Sequence, residues 1–367
     1  MSKHITYLYF DDTPRTADQV KENLESESLS IIVRREEPWK EIIAYLLDNE
    51  ATFDGLILDW RLDASEDSSA DFSSEALAQH CRRLQVDKVN GRGFNKSFPI
   101  ILCSSQPGFN SIHQKDTTSE DLFDGVFEKN HLEDKEDFLL SLIESYEILA
   151  KKNVKVEEII SLSETEQLKI DNGLIRKINE IKEKQPHETV QFLNKEVINK
   201  NGVLIGEDVL LTRLGIKNDS EGWEFLKNEL SIFRYKGVLS SVERWWSDLI
   251  EEWWSENFDG TTLKFLNAQE RIQYLETKYE NLKDSLNEQE LSFGADSKEF
   301  WTVCRATGVP LAEMDGFIID EHQHYSWQDK VYICLEEAKD ETFRGESWNA
   351  LLPYEEERLK SYFEDNV

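Results

Sequence analysis

The chain is short of positive charge. Its 367 residues carry 42 lysines and arginines against 74 aspartates and glutamates, a formal net charge of −32. Such a field repels phosphate backbones and anionic lipid, which argues against a nucleic-acid-binding output domain and against a membrane-surface protein. No apolar run approaches the ~20 residues that span a bilayer, and the opening MSKHITYLYFDD does not have the form of a signal peptide. Cysteine is scarce. Cys81, Cys103, Cys304 and Cys334 lie far apart without C-x-x-C spacing, which excludes a zinc ribbon and fits free thiols in a reducing cytoplasm. Internal repeats, low-complexity linkers, a G-x-x-x-x-G-K-S/T loop, a G-x-S-x-G elbow and a basic recognition helix are all missing. What remains is a polar but globular composition, 39% hydrophobic, with 10 Trp, 11 Tyr and 19 Phe to bury. At roughly 100–200 residues per domain, the length suggests two or three domains.

The period of the apolar pattern changes along the chain. Residues 1–150 alternate short apolar runs with amphipathic stretches. The runs at 5–10, 30–34, 55–59 (GLILD), 98–103 (FPIILC) and 124–128 predict five strands. The stretches at 13–27 (opened by Thr13-Pro14), 39–49 (opened by Pro38), 73–84 and 134–150 predict helices. Strands alternating with helices give a doubly wound α/β fold with a five-stranded parallel sheet. In such a sheet the ligand sits outside the carboxyl ends of the strands. Those ends carry Asp11-Asp12, Asp59, Ser104-Ser105 and Lys129. Three crowded carboxylates cannot all stay ionised unless a cation or hydrogen bonds compensate them. Mg²⁺ does this with oxygen ligands and keeps waters free for a phosphate. Lys129 and Ser104 are useful there only if an anion enters. A carboxylate can also attack a phosphoryl group, so Asp59 is a candidate phosphoacceptor.

With the acid pair Asp11-Asp12, the acceptor in LILDWRL, the hydroxyl in FPIILCSS and the lysine in GVFEKN, residues 3–150 resemble the receiver domain of bacterial response regulators, a flavodoxin-like fold. The resemblance implies that Asp12 and Asp59 ligate Mg²⁺ directly, Asp11 through water, and that the backbone carbonyl of Arg61 is a further ligand. It places Ser104 as the switch hydroxyl and Lys129 as the phosphate-binding lysine. It implies a histidine kinase or phosphotransfer protein as donor. The departures are Asn130 where the family has proline, Val126 where it often has an aromatic, and a lengthened stretch between Asp59 and Ser104. That stretch carries an acidic loop at 63–71 and a polar segment at 87–97. The departures leave phosphorylation as the expectation and put the usual hydroxyl-and-aromatic switch in doubt. Taken singly, each residue has a plainer reading: Asp12 as a helix cap, Lys129 as the partner of a surface acid, Ser104 and Ser105 as turn residues.

Residues 151–367 read as a mainly α-helical domain. Helices are expected over 151–200 with a break at Gln185-Pro186-His187, then around 203–216 (capped near Gly215), 220–233, 240–256, 297–305, 331–338 and 354–363. The 240–256 helix would carry Trp245, Trp246, Trp253 and Trp254, either as the core of the domain or as a docking surface for a partner or second copy. Within 261–291, Phe265, Ala268, Ile272, Leu275, Tyr279, Leu282 and Leu286 step by three and four. That seam, flanked by Glu270, Arg271, Glu276 and Lys278, suits a homodimeric coiled coil or a helical hairpin packed on the tryptophan helix. A short strand is expected at 316–319. His322 and His324 could ligate a metal with Cys304 and Cys334 recruited at a distance, or lie in a polar surface loop. The implied output is a cytoplasmic signalling and interaction protein that relays or absorbs the signal. The alternatives are a receiver-regulated enzyme whose active site lies in the helical half, and a receiver used only as a dock. The organisation, though not the motifs, is also similar to receivers in bacterial antiphage two-component systems.

Overall fold

The computed structural model describes residues 4–35, 38–60, 62, 72–87, 91–105, 122–132, 134–320, 324–339 and 351–365. The chain divides into two compact units. The first comprises residues 1–162, 177–194 and 236–242, and the second 163–176, 195–235 and 243–367.

The first unit is built on five parallel strands: β1 (Ile5–Phe10), β2 (Leu29–Arg34), β3 (Gly55–Asp59), β4 (Ile100–Ser104) and β5 (Gly125–Glu128). Their spatial order is β2-β1-β3-β4-β5, the flavodoxin-like arrangement. Every residue of β3 and β4 is buried, as expected of strands covered on both faces. Helices α1 (Pro14–Leu24), α2 (Trp39–Asp48), α3 (Ser74–Val86) and α4 (Glu136–Leu149) accompany the sheet. Ile42 and Leu46 of α2 and Leu77 and Cys81 of α3 pack with Leu8, Phe10, Leu56, Leu58, Ile100 and Leu102 in one core. The register sets Tyr7 beside Gly55, where a Cβ would meet the Tyr7 ring at 2.3 Å. The Tyr7 hydroxyl donates to the Leu139 carbonyl, which fixes the ring between sheet and α4.

A buried polar brace ties the entry of β4 to that of β5. The Arg82 guanidinium of α3 donates to Asp124 (2.7 Å) and to the carbonyls of Phe98 and Leu122, both at 3.1 Å. The Tyr146 hydroxyl donates to Asp124 at 2.8 Å, and Asp124 also accepts from the Ile100 amide. Two later stretches belong to this unit. The first follows α5 (Val156–Ile160) and carries α8 (Pro186–Leu193), whose Gln191 amide donates to the Phe123 carbonyl. In the second, the Leu239 amide donates to Ser145 and the Val238 amide to the Ile159 carbonyl.

The second unit departs from an all-helical reading. Three two-stranded antiparallel ribbons punctuate it: β6 (Leu204–Ile205) with β7 (Trp245–Trp246), β8 (Thr302–Val303) with β9 (Pro310–Leu311), and β10 (Phe317–Ile318) with β11 (Tyr332–Ile333). Around them lie α6 (Glu164–Gln167), the start of α7 (Asn172–Ile181), α9 (Glu207–Leu214), α10 (Trp223–Glu229), α11 (Ser247–Asn257), α12 (Ala268–Lys278), α13 (Leu335–Lys339) and α14 (Pro353–Asp365). Gly215 ends α9 with φ 74°, a left-handed cap that glycine takes without steric cost.

Three expected helices are corrected here, and two alternatives that the sequence left open are resolved. No helix runs over 240–256: Leu239 takes φ 63°, Trp245 and Trp246 form β7, and α11 starts only at Ser247. Trp245, Trp246 and Trp254 are at most 1% exposed, and Trp253 is half-buried against the same core, so this group forms the interior of the unit rather than a docking face. The 261–291 heptad breaks into a 3₁₀ turn (Leu263–Phe265), α12, and a second 3₁₀ turn (Glu280–Leu282). Its Ile272, Leu275, Leu282 and Leu286 enter the core with Trp254, while Phe265 is 77% exposed, so no continuous seam is left for a coiled-coil dimer. The 297–305 helix is replaced by β8, and the 331–338 helix begins as β11, with α13 starting at Leu335.

Candidate functional site

The carboxyl ends of β1, β3 and β5 bring together the residues the sequence singles out. Asp11 and Asp12 follow β1, Asp59 closes β3, and Lys129 opens a 3₁₀ turn directly after β5. Asp11 and Asp59 are buried; Asp12 is half-exposed. Each acid offers an oxygen within 4.8 Å of the others. Lys129 Nζ stands 2.7 Å from Asp11 Oδ2 and 2.7 Å from Asp59 Oδ1, with its side chain 6% exposed.

The charges decide what this arrangement can do. Burial works against the Lys129 ammonium, but Asp59 and Asp11 outweigh it and raise its pKa above the ordinary lysine value. The lysine is therefore a fixed cation. Among the described residues, three carboxylates face one ammonium in a partly closed crevice, a formal deficit of positive charge. A divalent cation with hard oxygen ligands matches both the donor set and the deficit, and the half-exposed Asp12 leaves a side open for ion-bound water. Asp11 is held from below. The Tyr9 hydroxyl donates to its Oδ2 and the Thr13 amide to its Oδ1 at 2.8 Å. Burial, then the Asp11 charge, raises the Tyr9 pKa, so the phenol stays a donor. Burial likewise pushes the neighbouring Cys103 thiol up to about 12, which removes it as a thiolate.

Ser104 ends β4 and is buried at the same edge, one residue beyond Cys103, the register partner of Asp59. Arg61 and the acidic 63–71 loop lie outside the described residues. The cap of α1 is Thr13, not Asp12, and Asp12 instead accepts from the Thr13 hydroxyl at 2.9 Å. Val126 is half-buried on β5 beside Leu102, and Asn130 sits in the turn after Lys129. Two contributors escaped the sequence reading. Tyr9 stands two residues before Asp11 on one face of the strand, a spacing that could have pointed to it. Ser74, buried at the start of α3, donates to the Asp59 backbone carbonyl from 15 residues away, and no sequence pattern marks that contact.

His322 lies outside the described residues, and His324 is exposed. Cys304 and Cys334 are buried free thiols, the Cys334 amide donating to Cys304 Sγ at 3.3 Å. Among the described residues, only Asp11, Asp12 and Asp59 come close enough to share an ion. No helix among them is long and apolar enough to cross a membrane.

No protein-family model matches the chain, and no curated protein matches it. Among solved structures, it is similar to RcsB from Salmonella enterica serovar Typhimurium bound to promoter P1flhDC in the presence of the phosphomimetic BeF3⁻, at 15% identity and TM-score 0.28 over 39% of this chain. It therefore spans 61% of the RcsB chain it matches. It is also similar to a fusion carrying the yeast Spc42 trimeric coiled coil, at 13% identity and TM-score 0.28, over 49% of this chain and 95% of that one.

Proposed function

We propose that this protein is a cytoplasmic phosphoacceptor of a two-component pathway, with Asp59 as the acceptor. The observation that carries the reading is the Lys129 ammonium held between Asp11 and Asp59 with Asp12 alongside. A carboxylate oxygen of Asp59 attacks the phosphorus of a phosphohistidine. The P–O bond forms as the P–N bond breaks, and the imidazole leaves with the bonding pair and takes up a proton. Asp11, Asp12 and Asp59 would hold Mg²⁺, with the Arg61 carbonyl as a further ligand. The ion, when bound, neutralises charge on the phosphoryl oxygens. Lys129 and Ser104 meet the oxygens the ion does not. Lys129 must exchange one carboxylate contact for a phosphoryl oxygen, so phosphorylation rearranges its pairing and couples charge at Asp59 to the end of β5.

The donor is a histidine kinase or phosphotransfer protein. The second unit relays or absorbs the signal by binding protein rather than DNA, in keeping with the −32 charge. A phosphate-affinity gel after incubation with acetyl phosphate and Mg²⁺ tests the reading, with wild type beside Asp59→Ala. A retarded band in wild type alone is the expected result. A band of equal intensity in Asp59→Ala would assign the phosphate elsewhere. Absence of a band in both, together with absence of beryllofluoride binding, would leave only a docking role.

A further inference from the structure

Phosphoryl chemistry makes no use of Cys304 and Cys334, yet the fold of the second unit brings them together. Cys304 follows β8 and Cys334 follows β11. Cys304 is bridged in parallel to Tyr332, and the Arg305 amide donates to the Tyr332 carbonyl at 2.8 Å. Both cysteines are buried in one core with Leu311, Phe317 and Leu335. The Cys334 amide donates to Cys304 Sγ at 3.3 Å, and the Cys334 thiol donates to the same sulfur.

The two sulfurs are not equivalent. Cys304 Sγ accepts from the thiol and amide of Cys334 and from the hydroxyl and amide of Thr307. Donors converging on one sulfur favour its thiolate. The Cys334 thiol foremost, with Thr307 in support, overcomes burial and lowers the Cys304 pKa to about 5. The same bond, then burial, raises the Cys334 thiol, which keeps its proton. Cys81 and Cys103 show the inert alternative: each is buried in the first unit, and that burial pushes each thiol up to about 12. Cys304 is thus an attacking sulfur with a resolving thiol beside it. The cover over it is a tight turn. Arg305, Thr307 and Gly308 are exposed, and at Gly308 nothing lies within 4 Å of where a Cβ would stand.

We propose that Cys304 and Cys334 are a peroxide-sensitive pair that closes reversibly to an intrachain disulfide. The Cys304 thiolate attacks one oxygen of hydrogen peroxide: the S–O bond forms, the O–O bond breaks, and the departing hydroxide takes a solvent proton to become water. The Cys334 sulfur then attacks the Cys304 sulfenic acid. The S–S bond forms, the S–O bond breaks, and hydroxide leaves with the Cys334 proton as a second water. The two sulfurs lose two electrons and the peroxide gains them. A dithiol reductant returns them by exchange and ends as its own disulfide. The bond ties the end of β8 to the end of β11, and so one ribbon of the second unit to another. The proposal does not depend on phosphorylation of Asp59.

Exposure of the reduced, folded full chain to hydrogen peroxide at neutral pH tests it, with alkylation of the remaining thiols and mass analysis of the peptides. The expected product is a link between the Cys304 and Cys334 peptides of one chain, removed by dithiothreitol. It should form at least about tenfold faster than any oxidation of Cys81 or Cys103, whose thiolate fractions are far smaller. The wild-type link needs no variant to fold. Where circular dichroism shows Cys334→Ser folded, its Cys304 should stop at the sulfenic acid and be captured by dimedone. Absence of the 304–334 link, links between chains only, or oxidation of all four cysteines at similar rates would overturn the proposal. So would a folded Cys334→Ser whose Cys304 takes no dimedone.

Discussion

Lys129→Met removes the only ammonium paired with Asp11 and Asp59 among the described residues while keeping a side chain of similar length. Each of its two contacts is 2.7 Å long, worth about 6 kcal/mol at an effective dielectric near 20 before desolvation is subtracted. The net loss is smaller, because the lysine also regains its hydration cost. Breaking a buried pair on one side typically costs about 3–5 kcal/mol, since the carboxylates left behind are uncompensated. For a unit of this size that lowers the melting temperature by about 6–20 °C in EDTA. A divalent cation bound by the same acids replaces the missing charge, and binding at a hundred times its dissociation constant adds about 2.7 kcal/mol. Wild type gains from Mg²⁺ as well, so the gap narrows by the extent to which the variant, free of the competing ammonium, binds the ion more tightly. Hydrogen exchange of peptides covering β1 and β3, read in EDTA and in Mg²⁺, reports on this unit without interference from the other. A loss below about 1 kcal/mol in EDTA, the size of an ordinary surface change, would refute the electrostatic account. A deficit that Mg²⁺ leaves untouched would refute the shared site.

The other predictions use the same logic. Asp248 has a folded pKa raised from 3.8 to about 6, so its favourable protonation is fully present below pH 4 and lost as pH rises through 6. Asp248→Asn should therefore stabilise the chain by about 1–3 kcal/mol at pH 7.5 and by almost nothing at pH 4, read from urea midpoints; a gain independent of pH would contradict this. Arg82→Ala leaves Asp124 and Tyr146 buried around an absent cation and should cost about 3–5 kcal/mol in urea unfolding, with exchange rising first at the entries of β4 and β5. Gly55→Ala drives a methyl into a ring that Leu139 holds in place, costing about 1–3 kcal/mol, and Tyr7→Leu in the same chain should recover part of it.

The first unit was legible because its strands obey a simple rule. A parallel strand covered on both faces is an unbroken apolar run, and ITYLYF, GLILD and IILCS are such runs bounded by polar residues. Once those runs are strands of a doubly wound sheet, topology alone delivers Asp11, Asp12, Asp59, Ser104 and Lys129 to one edge. No side-chain contact needs to be known. What stayed hidden are contacts made from the helices, such as Ser74 on the Asp59 carbonyl and the Arg82 brace, because they depend on which face a helix turns inward.

The second unit resisted reading for a reason Arg271 makes concrete. A spacing of three and four residues says that one face of a helix is apolar, but not whether the surface covering it belongs to the same chain. The heptad assigns Arg271 to a flanking, solvated position. In the structure it has no exposed surface and donates to the Leu263 carbonyl at 3.2 Å and the Phe300 carbonyl at 2.7 Å, while burial lowers its pKa to about 10. Its fork thus ties the turn before α12 to the segment leading into β8, and Ile272 and Leu275 beside it fill the core around Trp254. A coiled-coil seam needs its flanking charges in water, so a buried Arg271 and a free seam exclude each other. The same holds for the tryptophans. Trp245 and Trp246 form β7 rather than part of a helix, and Leu239 before them takes a left-handed φ that no residue type there announces. Where burial is decided by partners distant in sequence, periodicity identifies an apolar face, and only the fold identifies what it covers.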